Sequence, residues 1–250
     1  MSGTGTNEEN DPLQTAVWRL RSRACWADAA ALLATREGVA PALQRTALLV
    51  ERCLFTGEGW AEAEESLRGA EALATGDDDR GVAACERGQL AYASTVLGVR
   101  DRADEARTAL GRAAALLAPN AAGRPLLDFR RGLIAEHIAD SPQAAKAAYR
   151  RAHAGATVHA DSLLLSFTWR HLAGLALREG ELAEARHGFA ESLRLREELG
   201  YLVGTAPALA ALADAEPEPE ASHLRAEAAR LFRLLGGVPS WLAQHLKPAA

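Results

Sequence analysis

A small residue followed four positions later by a large apolar one recurs six times along the chain: Ala29 with Leu33, Ala63 with Leu67, Ala106 with Leu110, Ala145 with Tyr149, Ala185 with Phe189, and Ala228 with Phe232. The alanines stand 34, 43, 39, 40 and 43 residues apart. An offset of four places both side chains on one helical face, and a recurrence near 40 residues marks stacked supersecondary units. The first interval joins the near-identical words WADA and WAEA. Between 169 and 195, Trp169, Leu172, Ala173 and Ala176 share one helical face, Gly180 supplies a turn, and Leu182, Ala185, Phe189 and Leu193 resume the period. The pattern predicts an all-α chain, an α-solenoid of about six stacked antiparallel helix hairpins.

Punctuation agrees. Asp11-Pro12, Ser141-Pro142 and Ala40-Pro41 put proline in a first helical turn, where its missing N–H is no loss. The turn-rich stretches 75–81, 118–125 and 216–222 read as inter-helix loops, none long enough for a domain linker. The expected organisation is a disordered acidic tail over 1–11, then one helical-repeat domain over 12–250 with a capping helix around 239–246. Trp241, Leu242 and Leu246 are its apolar residues, to cap the last seam or to make a homodimer contact.

Hydrophobic residues make up 48% of the chain, too many for a disordered reading, and aromatics only 5%. The net charge of −5 lacks the positive field that direct nucleic-acid binding needs. No apolar run approaches the roughly 20 residues that cross a bilayer, and the polar start MSGTGTNEENDP is unlike a signal peptide; a cytoplasmic protein with no membrane association is expected. Cys25, Cys53 and Cys85 form no CxxC pair and read as small core residues in a reducing compartment.

The repeat resembles the tetratricopeptide family, whose tryptophan, leucine, small residue, alanine and aromatic positions are matched by Trp169, Leu172, Ala173, Ala185 and Phe189, with Leu193 towards the repeat end. The likeness is fair over Leu90 to Leu116, followed by Pro119, and weak in the first and last pairs. The spacing exceeds the family's usual length of about 34 and is similar to the helical sensor regions of actinobacterial and MalT-like transcriptional regulators. No phosphate-binding loop or terminal helix-turn-helix accompanies it, which implies a stand-alone sensor or adaptor.

The resemblance implies that the first helix of each pair lines a concave groove. Carried over repeat by repeat, it nominates Arg45, Arg52 and Phe55 in the second pair, Arg130, Ile134 and His137 in the fourth, and Phe167, Arg170 and Arg178 in the fifth. Guanidinium forks pair with carboxylate or phosphate, so the expected partner is an acidic or C-terminal protein segment. Arginine supplies 26 of the 28 basic residues, and some will simply pair on one helix, as Glu64 and Arg68 can. The lysine and asparagine clamp of chaperone-binding relatives has no counterpart here, because the only lysines are Lys146 and Lys247 and all three asparagines lie in loops or the tail.

Catalytic patterns are missing. His137, His153 and His159 fall near one bend with Glu136 and Asp161, but without HExxH or an i, i+4 histidine pair they read as solvated or hydrogen-bonded surface groups. Arg170 and His171, being consecutive, should not share a face, and no GxSxG turn occurs. The expectation is a non-catalytic, regulatory binding scaffold without cofactor or metal. Two alternatives stand beside it: a small-molecule sensor or atypical enzyme with a pocket around Phe167, Arg170 and His137, and an oligomerisation element acting through the ends.

Overall fold

The computed structural model describes residues 11–239 together with Trp241 and Leu242, and these residues form twelve α-helices and no strand. The expected tail lies outside the described residues except for Asp11, as do residues 243–246 of the expected capping helix. The helices pair as α1 (Pro12–Arg21) with α2 (Trp26–Leu33), α3 (Val39–Thr56) with α4 (Trp60–Leu73), and α5 (Asp77–Val96) with α6 (Ala103–Leu116). Then come α7 (Arg124–His137) with α8 (Pro142–Val158), α9 (Ser162–Arg178) with α10 (Leu182–Glu198), and α11 (Leu202–Ala213) with α12 (Glu220–Leu234). Each helix packs on the next in the chain, so six hairpins stack as a solenoid.

Local chemistry sets the boundaries. The Asp11 side chain accepts the Leu13 N–H at 2.9 Å and Pro12 opens α1, while Asp161 accepts the Leu164 N–H at 2.9 Å at the start of α9. Gly180 turns the chain between α9 and α10 at φ +84°, a left-handed conformation that glycine adopts without strain.

The six repeated alanines are each 0% exposed, and their large partners no more than 4%. All six pairs lie in the second helix of a hairpin, where each large side chain contributes about 1.5–3 kcal/mol on burial and each alanine lets a neighbouring helix approach. In two hairpins the large residue fits a glycine of the first helix. A Cβ on Gly132 would stand 2.4 Å from Tyr149 Cε1, and one on Gly88 would stand 2.4 Å from Leu110 Cδ2. The close approach is therefore built from both helices of the pair.

The solenoid closes on itself. Val17, Trp26, Leu33 and Leu48 of the first three helices share one buried cluster with Tyr201 and Val203 at the start of α11. The Val203 N–H donates to the Ser22 carbonyl at 2.9 Å, and the Trp18 indole N–H to the Leu199 carbonyl at 3.2 Å. Farther along the seam, Phe55 of α3 meets Phe232 of α12 with ring centroids 6.4 Å apart. Trp241 donates to the Leu54 carbonyl at 3.1 Å, and Leu242 is buried against Ala206, Ala228 and Phe232. The C-terminal segment thus caps the last hairpin and reaches back to the second. Closure also accounts for α11, whose residues from Val203 to Ala213 are all buried: a helix covered on every side is apolar all round.

Candidate functional site

Closure converts the concave face into a cavity of about 1740 Å³. Its wall comes mainly from the first helix of each hairpin. On α3 the inward residues are Ala47, Val50, Glu51, Leu54 and Phe55, a 3–4 residue rhythm that keeps them on one face. Tyr92 and Gln89 face inward from α5, Phe129, Arg130, Leu133 and His137 from α7, and Phe167, Arg170 and His171 from α9. Exposed lining residues gather after α5 and at the start of α6, where Arg100, Asp101, Asp104 and Arg107 border the mouth.

Of the nine residues nominated from sequence, Phe55, Arg130, His137, Phe167 and Arg170 lie on this wall, and Arg45, Arg52, Ile134 and Arg178 do not. Two of the four departures, Arg45 and Arg52, follow from helical phase on α3. Ile134 lies on the stripe of α7 between the wall residues Arg130 and Ile138, yet it packs in the core, 8% exposed. Arg52 lies off the inward face of α3 and pairs with Glu62 at 3.0 Å, and Arg45 also points away from the cavity. Arg178 ends α9 and binds the Glu136 carboxylate instead. The arginine-lined groove expected from sequence takes the form of a deep, half-open chamber whose wall mixes arginine, acidic, aromatic and apolar residues.

Most charges on that wall are matched. Arg130 Nη2 lies 2.7 Å from Glu86 Oε1 with both side chains buried, and its Nη1 lies 3.2 Å from Cys85 Sγ. Arg21 Nε lies 2.8 Å from Glu51 Oε2, while Tyr201 donates its hydroxyl to Glu51 Oε1 at 2.6 Å. Two arginines differ. Arg196, 2% exposed, donates from Nη1 to the Gly204 carbonyl at 2.7 Å and from Nε to Ser166 Oγ at 3.3 Å, with no carboxylate beside it. Arg170 makes no hydrogen bond or ion pair with any described residue, and its Nε is buried without a partner. Burial depresses both guanidinium pKa values; that of Arg196 falls to about 9, with the Arg170 charge adding to the effect.

A polar cluster stands beside them. Glu136 Oε2 accepts the Tyr149 hydroxyl at 2.6 Å and the His171 Nδ1–H at 3.0 Å, while Arg178 donates to Oε1. Tyr92 Oη lies 2.6 Å from His137 Nδ1. Burial pushes His171 down to about 4, so its ring is neutral at neutral pH. Burial opposes ionisation of Glu136, yet the bonds from His171, Tyr149 and Arg178 outweigh it and hold the carboxyl below its ordinary range. Glu136, His137 and His171 present donor atoms within 4.8 Å of one another. A divalent cation would have to compete with the three hydrogen bonds that Glu136 already accepts, beside the Arg170 and Arg178 charges. The trio is complete as a hydrogen-bonded network.

The histidine grouping read from sequence is redrawn. His153 bonds Thr168 Oγ1 at 2.9 Å and His159 is exposed, so neither joins His137, while Asp161 caps α9 and lines the cavity. His171 does, and it lines the cavity together with Arg170 although the two are adjacent in sequence. Sequence reasoning also missed Arg196, which enters from a second helix, and Tyr92 and Tyr201. One signal was present: the run Tyr201 to Ala213 contains no charged residue, as befits a helix enclosed on every side.

No protein-family model matches the chain, and no curated protein matches it.

Proposed function

We propose that the chain is a tetratricopeptide-like, non-catalytic regulatory module that encloses a bulky guest of mixed apolar and anionic character. The observation that carries this reading is closure of the solenoid by Trp18, Tyr201, Val203 and Trp241, which replaces an open groove with a chamber. Convergent polar groups within an apolar enclosure are the usual make-up of a ligand site. The hydrogen-bonded Glu136 and the ion-paired Arg130 favour binding over turnover, since both groups are engaged by other side chains of the wall. Three unpaired cysteines suit a cytoplasmic setting.

A second reading has its own support. The volume exceeds the roughly 300–1,000 Å³ of ordinary small-molecule sites, so a short acidic peptide end entering past Arg100 and Arg107 also fits. Native mass spectrometry of the chain purified from its own cells tests the first reading. A retained small-molecule mass, lost when Ala47→Phe projects a ring into the chamber, is the expected result. A retained peptide mass lost in the same variant would establish the second reading. Partners that bind the variant unchanged, with no retained guest, would overturn both.

A further inference from the structure

We propose that Arg170 and Arg196 form an anion subsite within the chamber, taking the carboxylate or phosphate of a guest whose apolar body lies against Phe167 and Trp241. This deepens the enclosed-ligand reading and rests on it.

The argument starts from charge matching. Of the arginines on the wall, Arg21, Arg102, Arg107 and Arg130 each have a carboxylate partner, and Arg100 is exposed at the mouth. Arg170 and Arg196 have none among the described residues. A guanidinium taken out of water without a counter-charge is destabilising, and two within mutual reach add repulsion. The Glu136 carboxylate and Asp214 offset the Arg170 charge in part and only through space, the Glu136 oxygens being engaged by Tyr149, His171 and Arg178. Such an arrangement strains the empty protein and is relieved by an anion that arrives with the guest.

The geometry supplies the rest of the site. The bonds from Arg196 to Gly204 and Ser166 hold its fork in place and leave Nη2 without a partner among the described residues. Its guanidinium lies over the Phe167 ring at 5.2 Å, and that of Arg170 over the Trp241 indole at 5.9 Å. Aromatic faces steady the two cations without neutralising them, and they give the guest's apolar part a surface next to its charged end. Guanidinium forks of this kind favour the planar or tetrahedral oxygens of carboxylate and phosphate over a point anion.

The test is calorimetric titration of the full chain with phenylpropionate, phenyl phosphate and the neutral phenylpropanol. Wild type should bind at least one of the two anions roughly tenfold or more tightly than the alcohol, the usual scale of a charge-assisted bond, and which anion prevails separates a carboxylate guest from a phosphate one. Arg170→Met should lose that preference while still binding the alcohol, and its empty form should melt higher than wild type. Arg170→Lys, which keeps the charge without the fork, should retain only part of the preference and serves if the methionine variant misfolds. Equal binding of charged and neutral compounds would overturn the subsite and leave the chamber reading standing. No binding of any of the three would overturn both, and an anion preference that persists in Arg170→Met would overturn the assignment to these residues.

Discussion

The Trp18 indole stacks on the Tyr201 ring with centroids 5.6 Å apart, joining the first hairpin to the turn that precedes the last. Arg21 lies over both rings, at 5.6 Å and 5.7 Å, and bonds Glu51, which also receives the Tyr201 hydroxyl. The contact ties stability to the shape of the chamber, because Tyr201, Arg21 and Glu51, which Trp18 helps to hold, also wall its interior.

Trp18→Ala is expected to cost about 2 kcal/mol, below the range for a fully buried aromatic because Trp18 is only partly covered. Urea denaturation measures the loss. Small-angle scattering should show a larger radius of gyration, and amides of α11 should lose hydrogen-exchange protection. Unchanged scattering and protection would mean that closure is held elsewhere.

Gly132→Ala should destabilise by roughly 1–3 kcal/mol, the usual cost of overpacking a core. The added Cβ would fall 2.4 Å from the Tyr149 ring, which cannot withdraw without giving up its bond to Glu136. Gly174→Ala, where no atom lies within 4 Å of the added Cβ, is the control and should be neutral or slightly stabilising, since alanine favours helix over glycine.

Arg130 and Glu86 form a buried pair, so removing one partner should be worse than removing both. Arg130→Met alone should cost about 3–5 kcal/mol by stranding the Glu86 charge, and the double variant with Glu86→Leu should recover most of it. A double-mutant cycle in urea gives the coupling directly. Additive losses would show that the pair contributes packing and little else.

Stability should fall with acid between about pH 6.5 and pH 4. His171 titrates near 4 when folded, against an ordinary value of 6.5, so within that window the unfolded chain binds the extra proton and gains from lower pH. The contribution is fully present above the unfolded value and is lost as pH falls, on the order of 3 kcal/mol at most by linkage. The depressed Glu136 carboxyl acts with the same sign at still lower pH. His171→Gln should flatten the window in a melting-temperature profile against pH, and an unchanged profile would place the sensitivity in another group.

Sequence alone determined the helices, their pairing and the residues that seat one helix on the next. Ala185 and Phe189 could be read as seam residues because i, i+4 spacing on a helix is set by the backbone, whatever surrounds it. The same reasoning pointed to Phe55, Arg130, His137, Phe167 and Arg170, which line the concave wall, and to Ile134, which packs in the core although its stripe neighbours Arg130 and Ile138 line the wall. Only the tertiary structure decided that the wall curves round a chamber, that Tyr201 meets Trp18, and that Arg196 has no counter-charge among the described residues while Arg130 has one. Those facts depend on where the superhelix brings residues some 180 positions apart. Periodicity reports which way a side chain faces; what it faces is settled by the accumulated rotation of six hairpins.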